Sequence, residues 1–204
     1  MSPSEGHPLV IGLLGGIAAG KTTVARMLAD LGAILVSADE IGHAVLDRPE
    51  IRDRIVARWG KEALGGDGRV DRRRLGQRVF GEPEELAALE AITHPAIVAA
   101  IREQVAAARR SGQGAAIVVD APLLMEAGLD TLCDALVFVG CPREVRLARA
   151  AERGWDASEL HRRESHQRPV EAKRRRARFI IENHASQETT FQQVQQLWQE
   201  MLGR

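Results

Sequence analysis

Five short apolar runs punctuate the chain, at 9–14, 33–36, 115–119, 135–139 and 179–181. Each is continuous rather than alternating, the pattern of a parallel strand buried on both faces. Between them apolar residues recur at helical spacing. Val24, Met27, Leu28 and Leu31 form one such stripe; Phe191, Val194, Leu197, Trp198 and Met201 form another. Strands alternating with amphipathic helices predict an α/β fold, a doubly wound five-stranded parallel sheet flanked by helices.

The stretch from 41 to 110 breaks this rhythm. It carries helical stripes only: Ile51, Ile55, Val56 and Trp59, then Leu75, Val79 and Phe80, then Leu86, Leu89 and Ile92. Asp71 suits a helix cap. Thr93-His94-Pro95 predicts an interruption, with Pro95 in the first turn of a further helix carrying Ile97, Val98, Ile101 and Val105. The organisation read from the sequence is a core at 1–40, 111–142 and 179–204, a helical insertion at 41–110, and a basic helical lid at 143–178.

The first strand runs into Gly15-Gly16-Ile17-Ala18-Ala19-Gly20-Lys21-Thr22, which reads G-x-x-x-x-G-K-T, followed by Thr23. Strand, glycine-rich turn, lysine, hydroxyl and helix form the context of a P-loop. Such a loop aims backbone N–H groups at phosphate oxygens and adds the positive end of a helix dipole. Lys21 supplies a charge for the terminal phosphates, and Thr22 a hydroxyl for Mg²⁺. The third strand ends in Asp120, the arrangement of a second Mg²⁺-holding group. Asp39 follows the second strand, at the edge where ligands of such sheets bind; it equally suits the N-cap of a helix beginning at Glu40. Alanine at 18 and 19 predicts φ below zero at both positions.

Charge sharpens the picture. The 204 residues carry 28 basic and 28 acidic groups, so no global field marks a nucleic-acid or anionic-membrane partner. Aromatic residues make up 3 %, with no Tyr, which argues against base-stacking recognition of single strands. Locally, residues 143–178 hold twelve Arg/Lys against six Asp/Glu. Arg146, Arg149 and Arg153 recur there at helical spacing, followed by a second helix from Ser158 towards Gln167 and the basic run at 173–178. A basic hairpin beside a phosphate site is a candidate lid. Cys133 and Cys141 show no metal spacing and fit reduced thiols of a cytoplasmic protein. No signal peptide or membrane-length apolar run is expected.

The ordered set of motifs resembles one family, the dephospho-coenzyme A kinases, over nearly the whole chain. The segments that carry the resemblance are the loop with its flanks, Ser37-Ala38-Asp39-Glu40-Ile41, Gly68-Arg69-Val70-Asp71-Arg72, and Leu89-Glu90-Ala91-Ile92-Thr93-His94-Pro95. Asp120-Ala121-Pro122-Leu123-Leu124-Met125-Glu126, Gln167 with Lys173, and Ile180-Ile181-Glu182-Asn183 complete it. The resemblance implies transfer of the ATP γ-phosphate to the ribose 3′-hydroxyl of dephospho-CoA, with Mg²⁺ and with Asp39 as general base. It implies ATP contacts from Gly15 to Thr23, Arg149 and Arg153, acceptor contacts from Asp39, Arg72, His94, Leu123 and Glu126, and metal contacts from Thr22 and Asp120. Ala18-Ala19, Ser37 and Arg178 depart from the family pattern, so Asp39 is the one carboxylate left in its segment. The P-loop and lid alone leave open another small-alcohol or nucleoside kinase, or a non-catalytic ATP binder. No N-K-x-D motif points to guanine.

Overall fold

Residues 7–79 and 81–203 are described by the computed structural model; Phe80 lies outside them. All five strands form: β1 (Leu9–Gly15), β2 (Ala33–Ser37), β3 (Ala116–Asp120), β4 (Ala135–Gly140) and β5 (Phe179–Glu182). They pair in parallel in the order β2-β3-β1-β4-β5. β1 is therefore the central strand, and its neighbours lead off in opposite directions. That is the topological switch point, where an open α/β sheet forms its ligand crevice.

Two-sided burial explains the continuous apolar runs. Ile11 and Leu13 of β1 join Val118, Val137 and Val139 in a core closed by Val24, Ala25 and Leu28 of α1 (Lys21–Asp30) and Val194 and Leu197 of α9 (Gln187–Leu202). On the opposite face, Gly12 is approached so closely that a Cβ there would lie 2.6 Å from Cys133 Sγ and 2.8 Å from Leu124 and Leu136. A larger residue would force β1 away from that layer.

The chain divides into two compact units, Met1–Ser37 with Gln104–Arg204, and Ala38–Glu103. The second contains α2 (Ala38–Leu46), α3 (Pro49–Trp59), a 3₁₀ turn at Lys61–Ala63, α4 (Arg72–Val79) and most of α5 (Pro83–Ser111). Asp71 caps α4 as expected, its Oδ1 accepting from the backbone N–H of Arg73 and Arg74 at 3.0 and 3.1 Å. The break expected at Thr93-His94-Pro95 does not occur: α5 runs through Pro95 for 29 residues. Proline removes one helical hydrogen bond, but Ile92 before it and Ile101 and Val105 after it are all buried, so packing on both sides holds the helix together. Thr93 Oγ1 also donates to Leu89 O at 2.9 Å.

The basic region forms α6 (Arg143–Ala151), α7 (Ala157–Ser165) and α8 (Val170–Arg176). The last helix is not marked by an apolar stripe; its buried residue is Lys173. Among the described residues no helix is long and apolar enough to cross a membrane.

Candidate active site

The loop between β1 and α1 lies at the carboxyl end of the central strand. Gly20 precedes α1 with φ +91°, and a Cβ there would lie 2.1 Å from Asn183 Nδ2, so glycine is required twice over. No side chain caps α1, which leaves its first amides facing the loop. Ala18 contradicts the expectation of negative φ: it sits at φ +60°, the left-handed region. Local sterics disfavour that conformation for alanine, so the surrounding contacts impose it.

Those contacts are specific. Asn183 Nδ2 donates to Ala19 O at 2.8 Å, and Arg149 donates to Ala19 O at 3.3 Å and to Asn183 O at 3.0 Å. Arg146 Nη1 donates to Ile17 O at 3.4 Å. Asn183 is itself fixed by Thr190 Oγ1, which donates to its Oδ1 at 3.1 Å. Strand β5 and helix α6 thus shape the loop from outside.

Lys21 turns back over the loop, its Nζ donating to Gly16 O at 3.0 Å and Gly15 O at 3.3 Å. Burial pushes its pKa down from 10.5 to about 8; Asp120 pulls upward, while Lys173 and Arg146 press it further down. Thr22 Oγ1 donates to Asp120 Oδ2 at 2.6 Å. A hydroxyl and a carboxylate side by side are a hard-oxygen donor pair, and the chemistry of that pair fits Mg²⁺, which keeps several waters and takes few protein ligands. In register across the sheet, Asp120 stands level with Ser37.

Glu126 is held by the basic region. Its Oε1 lies 3.2 Å from Lys173 Nζ and accepts from Arg168 N at 2.6 Å, while its Oε2 is buried without a partner. Gln167 Oε1 accepts from Lys173 Nζ at 2.8 Å. Arg146, buried in α6, pairs with Glu164 of α7. Lys21, Arg146 and Lys173 therefore converge as cations on the loop, an arrangement suited to a polyanion. Leu123 lies half-buried in the turn after β3. Arg153 is not brought to the loop: it is exposed beyond α6, with its guanidinium 5.9 Å from the centre of the Trp155 ring.

In the second unit Asp39 falls inside the first turn of α2, which starts at Ala38, so it is not the cap of a helix beginning at Glu40. A cleft of about 620 Å³ is lined by residues including Glu40, His43, Asp47, Arg69, Asp71 and Arg72. His94 is half-buried in α5 and does not line it.

Asn183 and Glu164 were not expected as site residues, and Arg146 was expected only as one of three arginines on a lid helix. Asn183 had a signal, a polar residue immediately after an apolar strand. Glu164 had none, because its partner lies 18 positions away on another helix. Cys133 and Cys141 are free thiols, and burial raises both pKa values, that of Cys133 to about 12. Among the described residues no group of three or more His, Cys, Asp or Glu side chains is placed to hold a metal.

A glycine-rich loop on the central strand of a β2-β3-β1-β4-β5 sheet, with lysine, threonine and an aspartate on the neighbouring strand, defines a P-loop nucleotide-binding protein of the kinase type. The dephospho-CoA kinase family profile matches residues 9–189, and the chain belongs to that family. Among its relatives, the dephospho-CoA kinase of Geobacter metallireducens is 43 % identical over 96 % of this chain and 98 % of its own. That of Anaeromyxobacter dehalogenans is 41 % identical over 95 % and 92 %. The solved dephospho-CoA kinase from Campylobacter jejuni superposes with a TM-score of 0.70 at 28 % identity, covering 94 % of this chain and 96 % of its own.

Proposed function

We propose that the chain transfers the γ-phosphoryl group of ATP to the ribose 3′-hydroxyl of dephospho-CoA, giving ADP and CoA. The observation that carries this reading is the loop itself, with Lys21, Thr22 and Asp120 gathered at the end of β1 in a chain of this family. In the reaction the acceptor oxygen forms a bond to the γ-phosphorus, the bond from that phosphorus to the β–γ bridging oxygen breaks, and the acceptor proton leaves. Asp39 takes that proton. It is a carboxylate two residues beyond the last residue of β2, and a positioned base contributes roughly 10²–10⁴-fold.

The backbone amides of the loop bind the β- and γ-phosphates, and Lys21 exchanges its two carbonyl partners for phosphate oxygens. Arg149, anchored at Ala19 and Asn183, neutralises charge on the transferring group, a role its bonds to the loop support. Thr22 and Asp120 would hold Mg²⁺, which when bound neutralises phosphate charge. The helical unit holds the acceptor, with the cleft beside Arg72 as its seat; the region 143–178 serves as the lid, with Arg153 joining the phosphates on closure. ATP use and free thiols fit the cytoplasm.

The direct experiment is a coupled assay with ATP, Mg²⁺ and dephospho-CoA. ADP and CoA should form in equal amounts, with nucleosides and simple alcohols far poorer acceptors. Folded protein that binds ATP but turns over no dephospho-CoA overturns the proposal.

A further inference from the structure

Arg146 sits in an unusual position for a lid arginine. Its side chain is 7 % exposed, and its guanidinium lies close against the loop at Gly16. A Cβ placed on Gly16 would lie 2.8 Å from Nη1, 3.0 Å from Cζ and 3.2 Å from Nε. Nη1 donates to Ile17 O and to Glu164, while Nε is buried with no partner. The residue therefore grips the loop at Gly16 and Ile17, directly before Ala18, the one described non-glycine residue with positive φ.

On the far side of Ala18, Asn183 and Arg149 hold Ala19 O. Ala18 is thus clamped between two anchored carbonyls. A residue in a sparsely populated backbone region persists only where its surroundings over-determine it. A buried arginine also needs a counter-ion, and Glu164 of α7 supplies it, tying the clamp to the lid.

We infer that Arg146, oriented by Glu164, is a positioning residue that holds the Gly16-Ile17-Ala18 crest in its phosphate-receiving shape and offsets the strain of alanine at 18. This rests on the chain using ATP, as proposed above. Arg146 acts through the loop backbone and makes no phosphate contact of its own. Its loss lets the crest relax towards negative φ, turning an amide away from the phosphates.

The test is calorimetric titration with Mg·ATP, paired with steady-state kinetics. R146A should weaken ATP binding about tenfold, the scale of one strained residue released, and act on ATP affinity more than on the acceptor KM. Glycine adopts positive φ freely, so R146A/A18G should recover most of that loss relative to A18G alone. E164Q, which keeps the shape of the partner, should move ATP affinity in the same direction by less and be rescued in the same way. If R146A does not fold, E164Q with and without A18G carries the comparison. Wild-type ATP affinity in R146A overturns the inference. Equal loss with and without A18G also overturns it, making Arg146 a direct phosphate ligand. Absence of ATP binding to the wild-type chain instead removes the proposed function.

Discussion

Thr22 Oγ1 donates to Asp120 Oδ2 across 2.6 Å, joining the first turn of α1 to the last residue of β3. Two residues 98 positions apart in sequence thereby present adjacent oxygens at the carboxyl edge of the sheet. Asp120→Asn keeps the shape but removes the charge. The Mg²⁺ concentration for half-maximal activity should rise about 10–100-fold, the range seen when metal-holding groups lose their supporting partners. A magnesium titration of initial rate at fixed ATP checks this; an unchanged midpoint would detach Asp120 from the metal.

Lys21 should make ATP binding pH-dependent. Burial holds its pKa down at about 8, and phosphates bound beside it favour the charged form. Below pH 8 the lysine is already protonated and binding takes up no proton. Above it, binding must draw a proton from solution, and affinity should fall by up to about tenfold per pH unit. Titrations between pH 7 and 9.5 in buffers of different ionisation enthalpy would show this uptake. Lys21→Arg should flatten the dependence.

Asp39→Asn should lower kcat by roughly 10²–10⁴-fold with little change in ATP affinity. Single-turnover rates alongside ATP titration separate the two effects. A near-wild-type rate would remove Asp39 from the role of base.

Arg149 holds the carbonyls of Ala19 and Asn183, and in the proposed reaction it offsets charge on the phosphates. Arg149→Ala should reduce kcat about 10²–10³-fold, as for loss of one donor to a developing negative charge, and alter acceptor KM less. A dominant rise in acceptor KM would make it an acceptor-binding residue.

Lys173 is 3 % exposed and answers the Glu126 carboxylate, which is 18 % exposed. Lys173→Met leaves that carboxylate without its cation and should destabilise the fold by about 3–5 kcal/mol, whereas removing both charges together costs much less. Urea unfolding of K173M and of K173M/E126Q compares the two; equal midpoints would show that the pair contributes little.

The apolar runs identified every strand, because strands buried on both faces leave no polar residue to interrupt them. The P-loop was equally legible, since its chemistry is local: a backbone turn, one lysine and one hydroxyl within eight residues. Helix α5 was misread at Pro95, where tertiary packing of Ile92, Ile101 and Val105 outweighs the local cost of proline. Helix α8 went unseen because the side chain it buries is charged.

Sequence alone therefore determined the five strands, the phosphate loop, the basic character of residues 143–178 and, through its ordered motifs, the family. Strand order, the pairing of Thr22 with Asp120, the carboxylates that answer Arg146 and Lys173, and the positive φ of Ala18 were decided only by the tertiary structure. The physical reason is range. Periodicity and turn chemistry act over a few residues, whereas these features arise between side chains far apart in sequence, and the conformation of Ala18 opposes what its own local sterics prefer.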